Sequence, residues 1–197
     1  MAKESVKERK ERADNSSSTE ELEKLANDTD MYVRQNVAAN KNTPVSLLEK
    51  LATDKAEEVC ISVADNENTP SSVLEKLAED ERWQVRNTLA SSSNTPVSLL
   101  EKLAEDEETQ VRTSLVLNKN TPLSLLEKLA EDENDMVRSE VAFYEETPAS
   151  LLEKLFEDED SSVRVGVAEN MNTPVSVLEK LAEDKEEWVR DAVRERI

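Results

Sequence analysis

Residues 33–54 of the chain are V-R-Q-N-V-A-A-N-K-N-T-P-V-S-L-L-E-K-L-A-T-D, and this stretch recurs along almost the whole sequence. Its Thr-Pro dipeptide returns at a constant step of 26 residues, with the threonines at Thr43, Thr69, Thr95, Thr121, Thr147 and Thr173. The Val-Arg dipeptide keeps the same step, except that Cys60 replaces one arginine. Such a step is typical of solenoids, in which each copy packs mainly on its neighbours. Seven copies fill residues 17–197.

Each copy predicts two helices. Thr43 and Pro44 have the residue types of an N-cap followed by the first helical position. Leu47 and Leu51 belong to the apolar stripe of the first helix, and Asp54, which recurs in every copy, is expected to cap the second. The second helix is short, about ten residues, and a helix of that length is marginal alone in water. Packing between copies must therefore stabilise it.

These features predict an all-α solenoid of seven two-helix repeats. Residues 17–187 are expected to form one solenoid domain, after a polar N-terminal cap at 1–16. Residues 188–197 are expected to form the C-terminal cap end of the last repeat. The first copy lacks the proline, but Ser17 and Glu20 have the spacing of a capping box.

The pattern V-R-x-x-V-A-x-N-x-N-T-P-x-x-L-L-x-x-L-A-x-D resembles the repeat of the leucine-rich repeat variant family. Val33-Arg34, Val37-Ala38, Asn40, Thr43-Pro44, Leu47-Leu48 and Leu51-Ala52 carry the resemblance, which covers essentially the whole chain. It implies a right-handed α-solenoid, a superhelix of alternating helices in which the second is short or of 3₁₀ type. The proline that often follows the asparagine in that family is absent. One member has an iron–sulfur module, but Cys60 alone cannot supply its several cysteine ligands, so no cofactor is expected.

Composition argues against several classes of function. The 45 acidic and 25 basic residues give a net charge of −20, which repels nucleic acids and anionic membranes. Histidine is absent, so a serine or cysteine nucleophile would lack its usual base. The acidic segments lack the glycine and ligand spacing of a calcium loop, and no apolar run approaches the ~20 residues that span a bilayer. We expect a cytoplasmic monomer with no enzymatic activity, cofactor, metal, nucleic acid or membrane partner.

The copies differ on one side of the second helix. At about 100° per residue, residues 33, 34, 37 and 38 and their counterparts form a nearly constant arc, and the remaining positions vary. Five of the six aromatic residues lie in the variable segment, whereas Phe156 occupies an alanine position and is expected in the core. Large exposed apolar side chains are typical of binding surfaces, although drift gives the same pattern at any single position. The predicted contact residues for a protein or peptide partner are Tyr32, Trp83, Asn87, Thr113, Leu117, Met136, Ser139, Glu140, Phe143 and Tyr144.

Two functions follow from these observations. The first is a non-catalytic scaffold that presents this variable face to a protein, and the second is an acidic rod that binds a basic protein by imitating nucleic acid. Arginines such as Arg34 are predicted to pair with acidic residues between copies, in a ladder that Cys60 interrupts as a tolerated substitution or a reactive thiol. The near identity of the copies fits either recent duplication or a consensus-based engineered scaffold with a diversified face.

Overall fold

The structure is a computed structural model that describes residues 4–196, and every helix or strand it contains over this range is an α-helix. The chain divides into two compact units, Met1–Leu103 and Ala104–Ile197. The first unit contains α1 (Val6–Asn15), α2 (Thr19–Leu25), α3 (Met31–Ala39), α4 (Val45–Leu51), α5 (Glu57–Asp65), α6 (Ser71–Leu77), α7 (Trp83–Ser91) and α8 (Val97–Leu103). The second contains α9 (Thr109–Val116), α10 (Leu123–Leu129), α11 (Asp135–Phe143), α12 (Ala149–Leu155), α13 (Ser161–Glu169), α14 (Val175–Leu181) and α15 (Glu187–Arg194). The predicted all-α fold of two-helix repeats is confirmed.

Within each unit, the second helices of successive repeats pack side by side. In the first unit this layer contains α3, α5 and α7, and the N-terminal helix α1 packs beside α3. In the second unit it contains α9, α11, α13 and α15. The first helix of each repeat has seven residues. Within a unit it contacts the helices that precede and follow it in the sequence. Second helices have eight or nine residues and are α-helical. Helices this short depend on lateral packing for their stability.

Leucine and valine build the core at fixed positions of the repeat. Leu48, Leu74 and Leu100 are almost fully buried in the first unit, and Leu152 and Leu178 occupy the same position in the second. The valines of the Val-Arg pairs, such as Val59 and Val137, are completely buried. Full burial of one such side chain stabilises the fold by roughly 1.5–3 kcal/mol, and the repeat supplies several of them per copy.

The threonine of the Thr-Pro pair does not cap the helix that follows it, contrary to the sequence prediction. Thr43 is buried, and its hydroxyl donates a hydrogen bond to the carbonyl oxygen of Val37 near the end of the preceding helix. Pro44 occupies the N-cap and offers no side-chain bond. The side chain of Asn40 also shapes this turn, because its Oδ1 accepts from the backbone N–H of Asn42 at 2.7 Å. The turn therefore needs no residue with a positive φ, and none occurs in residues 4–196.

The recurring aspartate is also placed differently from the sequence prediction. Asp54 Oδ1 accepts a hydrogen bond from Ala56 N, the N-cap residue of α5, and so closes the turn before the helix rather than capping it. In the first copy the N-cap is Ser18, which accepts from Glu21 N, instead of the predicted Ser17. Both errors have one cause, since sequence spacing identifies residues that can cap but not which N–H each one faces.

A ladder of arginine–aspartate pairs joins neighbouring repeats, as predicted. Arg34 donates to the two carboxylate oxygens of Asp54 at 2.7 and 2.8 Å, and its third nitrogen donates to the carbonyl oxygen of Asp28. The hydrogen bond from Arg34 lowers the pKa of Asp54, against the opposing effect of burial. In the second unit the same two-pronged contact joins Arg112 to Asp132, Arg138 to Asp158 and Arg164 to Asp184.

Cys60 does not interrupt the ladder, because Arg82 supplies the missing guanidinium. Arg82 donates to both carboxylate oxygens of Asp80, at 2.7 and 2.5 Å, and to the carbonyl oxygen of Asp54 at 3.3 Å. These are the two groups that an arginine at position 60 would contact. The side chain of Arg82 also lies 3.2 Å from Cys60 Sγ. Position 82 is acidic, neutral or small in the other copies, so the two departures from the repeat compensate for each other.

Residues near both ends of the described chain make hydrogen bonds like those between repeats. Arg9, on α1, donates to both carboxylate oxygens of Asp28 at 2.6 and 3.2 Å and so begins the arginine–aspartate ladder. Arg196 occupies the repeat position of Asn170 and donates to the carbonyl oxygens of Ala168 and Asn170 at 2.9 and 2.7 Å. The terminal segments thus satisfy polar groups that a neighbouring repeat would otherwise satisfy.

The replacement of Arg82 by alanine is predicted to destabilise the chain by about 2–3 kcal/mol, because it leaves the largely buried Asp80 carboxylate without its partner. Urea unfolding measures this change. Adding Cys60→Arg to Arg82→Ala should restore most of the lost stability, since the arginine returns to its usual position in the ladder. Arg194, which is exposed and pairs with the exposed Asp191, provides the control, and Arg194→Ala should change stability by less than about 0.5 kcal/mol. A double variant no more stable than Arg82→Ala would contradict this account.

Candidate functional site

The strongest candidate surface lies on α11, in the second unit. Met136, Ser139, Glu140 and Phe143 are spaced three and four residues apart and therefore share one side of the helix. Met136 is 59% exposed and Phe143 is 42% exposed, while Ser139 and Glu140 are half-buried. Val137, Val141 and Ala142, on the other side of the helix, are completely buried. This helix therefore presents two large apolar side chains outward.

The neighbouring helix extends this surface. Leu117, the residue after α9, occupies the repeat position of Phe143, and it is 56% exposed. Because α9 and α11 pack side by side, the two side chains are separated by one repeat, roughly 8–10 Å. Tyr144 follows Phe143, is half-buried and donates from its hydroxyl to Glu146 at 3.2 Å. Leu117, Met136, Phe143 and Tyr144 are called the α9–α11 patch below.

Gly166 on α13 determines where the ring of Phe143 lies. A Cβ atom at Gly166 would lie 2.8 Å from Ala142 Cβ and 3.0 Å from the Phe143 ring. The other copies have Asn, Ser, Thr, Glu or Ala at this position, and Gly166 is the single glycine of the chain. The glycine thus lets α13 approach α11 closely and leaves room for the ring across it. Sequence comparison between copies could have identified this position, since the single glycine lies in the second helix that follows the one containing Phe143.

The remaining predicted residues are distributed over both units. Thr113 on α9 is half-buried, and its hydroxyl donates to the carbonyl oxygen of Thr109 at 2.9 Å. In the first unit Trp83 and Asn87 are half-buried on α7. Tyr32 is exposed on α3, and the ammonium of Lys10 lies 4.9 Å from its ring centre. None of the ten predicted residues lies in the core.

One expectation about an apolar residue was wrong, and one set of exposed apolar residues was not predicted. Phe156 is not in the core; it ends α12, is half-buried, and carries the ammonium of Lys180 4.6 Å above its ring. A second set of exposed apolar side chains, which the sequence analysis did not predict, occupies the position directly after the proline in four of the repeats. The set comprises Val45 and Val97 in the first unit and Leu123 and Val175 in the second. Its recurrence in four copies was a visible signal, but helical periodicity alone does not separate this position from the buried stripe.

The described residues offer no arrangement suited to catalysis by a metal. No group of three or more His, Cys, Asp or Glu side chains among residues 4–196 is placed to hold a metal ion. Cys60 is buried, and burial raises the pKa of its thiol even though the nearby Arg82 acts in the opposite direction. A buried thiol with a raised pKa is a poor nucleophile at neutral pH, which favours the tolerated substitution over the reactive thiol. No described helix is long and apolar enough to cross a membrane.

Solved structures share this fold. A leucine-rich repeat variant, described as having a novel repetitive protein structural motif, matches 98% of this chain and 77% of its own, with 28% sequence identity and a TM-score of 0.74. The resemblance to the leucine-rich repeat variant is confirmed. The Escherichia coli protein YibA matches 98% of this chain and 86% of its own at 18% identity and a TM-score of 0.53, which shows a common fold alone. No protein-family model matches the sequence, and no curated protein does.

The contact between α11 and α13 makes a specific prediction about Gly166. In an exposed helix, Gly→Ala stabilises by up to about 1 kcal/mol. Here the new Cβ would collide with Ala142 and the Phe143 ring, so Gly166→Ala should instead destabilise the chain by about 1–2 kcal/mol. Thermal unfolding measures the change. The double variant Ala142→Gly/Gly166→Ala removes the closest collision and should recover part of the loss. An increase in stability for Gly166→Ala alone would show that the helices are not closely packed there.

Proposed function

We propose that this chain is a non-catalytic binding scaffold that uses the outer side of its second helices to hold a protein or peptide partner. The stacked repeats are a rigid support, and the α9–α11 patch is the main contact surface. Association is driven by burial of Leu117, Met136 and Phe143 against the partner. The polar side chains between them, Ser139 and Glu140, contribute specificity.

The observation that carries this proposal is the exposure of three large apolar side chains on one side of two adjacent helices. Single exposed apolar residues are normal on protein surfaces, whereas a cluster of them marks an interaction site more often. The position of Phe143 is polar or small in five other copies, for example Ser91 and Glu169, and the position of Met136 is polar in four, for example Gln84 and Ser162. The repeat itself does not require apolar residues there, so their presence calls for another cause.

Charge favours this proposal over the acidic rod that imitates nucleic acid. Many carboxylates already have a cationic partner within the chain. The recurring aspartates pair with arginine, and on the edge of the first helices Lys102 pairs with Glu79 at 2.7 Å and Lys128 with Glu105. An edge that alternates lysine and glutamate does not imitate a continuous row of phosphates.

Peptide display tests the proposal. A library of random 16-residue peptides is selected for binding to the full chain, and the recovered peptides are measured against variants. Phe143→Ala and Met136→Ala should each weaken most of the recovered peptides at least ten-fold, because each removes part of the buried contact, while circular dichroism shows unchanged helicity.

The matched control is Leu123→Ala, since Leu123 is 50% exposed but lies at the start of a first helix. That variant should bind the recovered peptides as the unchanged chain does. Equal losses for Leu123→Ala and Phe143→Ala, or a library that yields no binders, would count against the proposed function.

A further inference from the structure

The second helices around the α9–α11 patch have no free basic side chain. Arg112, Arg138 and Arg164 are the only basic residues of α9, α11 and α13. Each makes two hydrogen bonds to an aspartate of the next repeat, and their side chains are between 5 and 12% exposed. The arginine–aspartate ladder thus removes every positive charge of these helices from the outer surface.

Carboxylates without a cationic partner surround the same patch. Glu140 lies on α11 between Met136 and Phe143, and Glu169 occupies the position of Phe143 one repeat later, on α13. Glu145 follows the patch residue Tyr144 and is exposed. None of these three glutamates forms an ion pair with a lysine or arginine among residues 4–196. Lys119, exposed in the turn after α9, lies two residues after the patch residue Leu117.

The first helices of the same unit differ in this respect. Lys128 on α10 pairs with Glu105 of the preceding repeat, so one glutamate on that edge is neutralised by a neighbouring repeat. The same unit therefore has one side on which lysine and glutamate alternate, and another on which apolar groups are bordered by three unpaired glutamates and by one lysine, Lys119. A surface of the second kind is complementary to an apolar group that is flanked by positive charges.

We propose that the α9–α11 patch binds a protein segment in which an aliphatic or aromatic side chain is flanked on both sides by lysine or arginine. This inference rests on the proposed function and specifies the chemistry of the partner. The apolar side chain contacts Leu117, Met136 and Phe143. One flanking cation pairs with Glu140 on α11 and the other with Glu169 on α13. Apolar contact provides most of the affinity, and the charges orient the segment and speed its association.

Three synthetic peptides test this inference by fluorescence anisotropy with the full chain. The first has a central phenylalanine and leucine flanked by three lysines on each side, the second has serine in place of both apolar residues, and the third has glutamate in place of every lysine. The first peptide should bind at least ten-fold more tightly than the second, and the third should not bind. Binding of the first should weaken several-fold between low and physiological salt, because charge pairs at an exposed surface are screened.

The net charge of −20 attracts any cationic peptide, so the site must be located with charge-matched variants. Glu140→Gln/Glu169→Gln and Glu127→Gln/Glu153→Gln each remove two negative charges from the second unit, and the second pair lies exposed on the first helices α10 and α12. The first double variant should weaken the lysine peptide at least five-fold and the second less than two-fold. Equal effects of the two variants, or equal binding of the phenylalanine and serine peptides, would overturn the inference.

The display experiment separates this inference from the proposed function. Recovered peptides that depend on Phe143 but are not enriched in lysine and arginine would overturn the inference and leave the binding scaffold intact. Recovered peptides that are insensitive to Phe143 and Met136 would overturn both.

Discussion

The fold depends on the lateral contact between the second helices of consecutive repeats. Each helix in a pair has only seven to nine residues, too few to be stable alone in water. Burial of leucine and valine provides the driving force, but apolar contact alone does not fix the offset between repeats. The two-pronged arginine–aspartate contacts and the asparagine bonds to carbonyl groups of the preceding repeat do so, because their geometry is directional. Asn66, for example, donates to the carbonyl oxygens of Ala38 and Asn40 at 2.6 and 3.1 Å.

Two departures from the repeat sequence are each compensated by a second departure in the next repeat. The loss of an arginine at Cys60 is matched by Arg82, which reaches the same two acceptors from the next repeat. The large Phe143 is matched by the absent side chain of Gly166. Such matches show that the contacts between repeats are maintained when an individual position changes. They also separate changes that preserve packing from those at Leu117 and Met136, for which packing offers no explanation.

The sequence was sufficient to predict the helix pairs, the leucine and valine core positions, the arginine–aspartate ladder and the exposure of Tyr32, Leu117, Met136 and Phe143, because each follows from a period of 26 residues and the geometry of a helix. It was not sufficient to assign the caps. The Thr43 hydroxyl can accept from an N–H or donate to a carbonyl oxygen, and the Asp54 carboxylate can accept from any of several nearby N–H groups, so only the folded turn determines which backbone group each one meets. The role of Arg82 was also hidden, since a contact with Cys60 requires two repeats to be placed side by side. Phe156 was wrongly expected in the core because it occupies an alanine position. At the end of α12 its larger side chain extends toward the surface and is half-buried.

In the proposed function, stability and recognition therefore reside in different side chains of the same helices. Arg112 and Val137 face neighbouring repeats, whereas Leu117 and Met136 face outward. The most direct test compares urea unfolding of Leu117→Ala/Met136→Ala with that of Arg112→Ala. The double variant on the patch should lose less than about 1 kcal/mol, since both side chains are more than half exposed. Arg112→Ala should lose about 3 kcal/mol, since it leaves the Asp132 carboxylate unpaired and largely buried. A patch variant that is destabilised as much as the ladder variant would show that these residues hold the fold together instead.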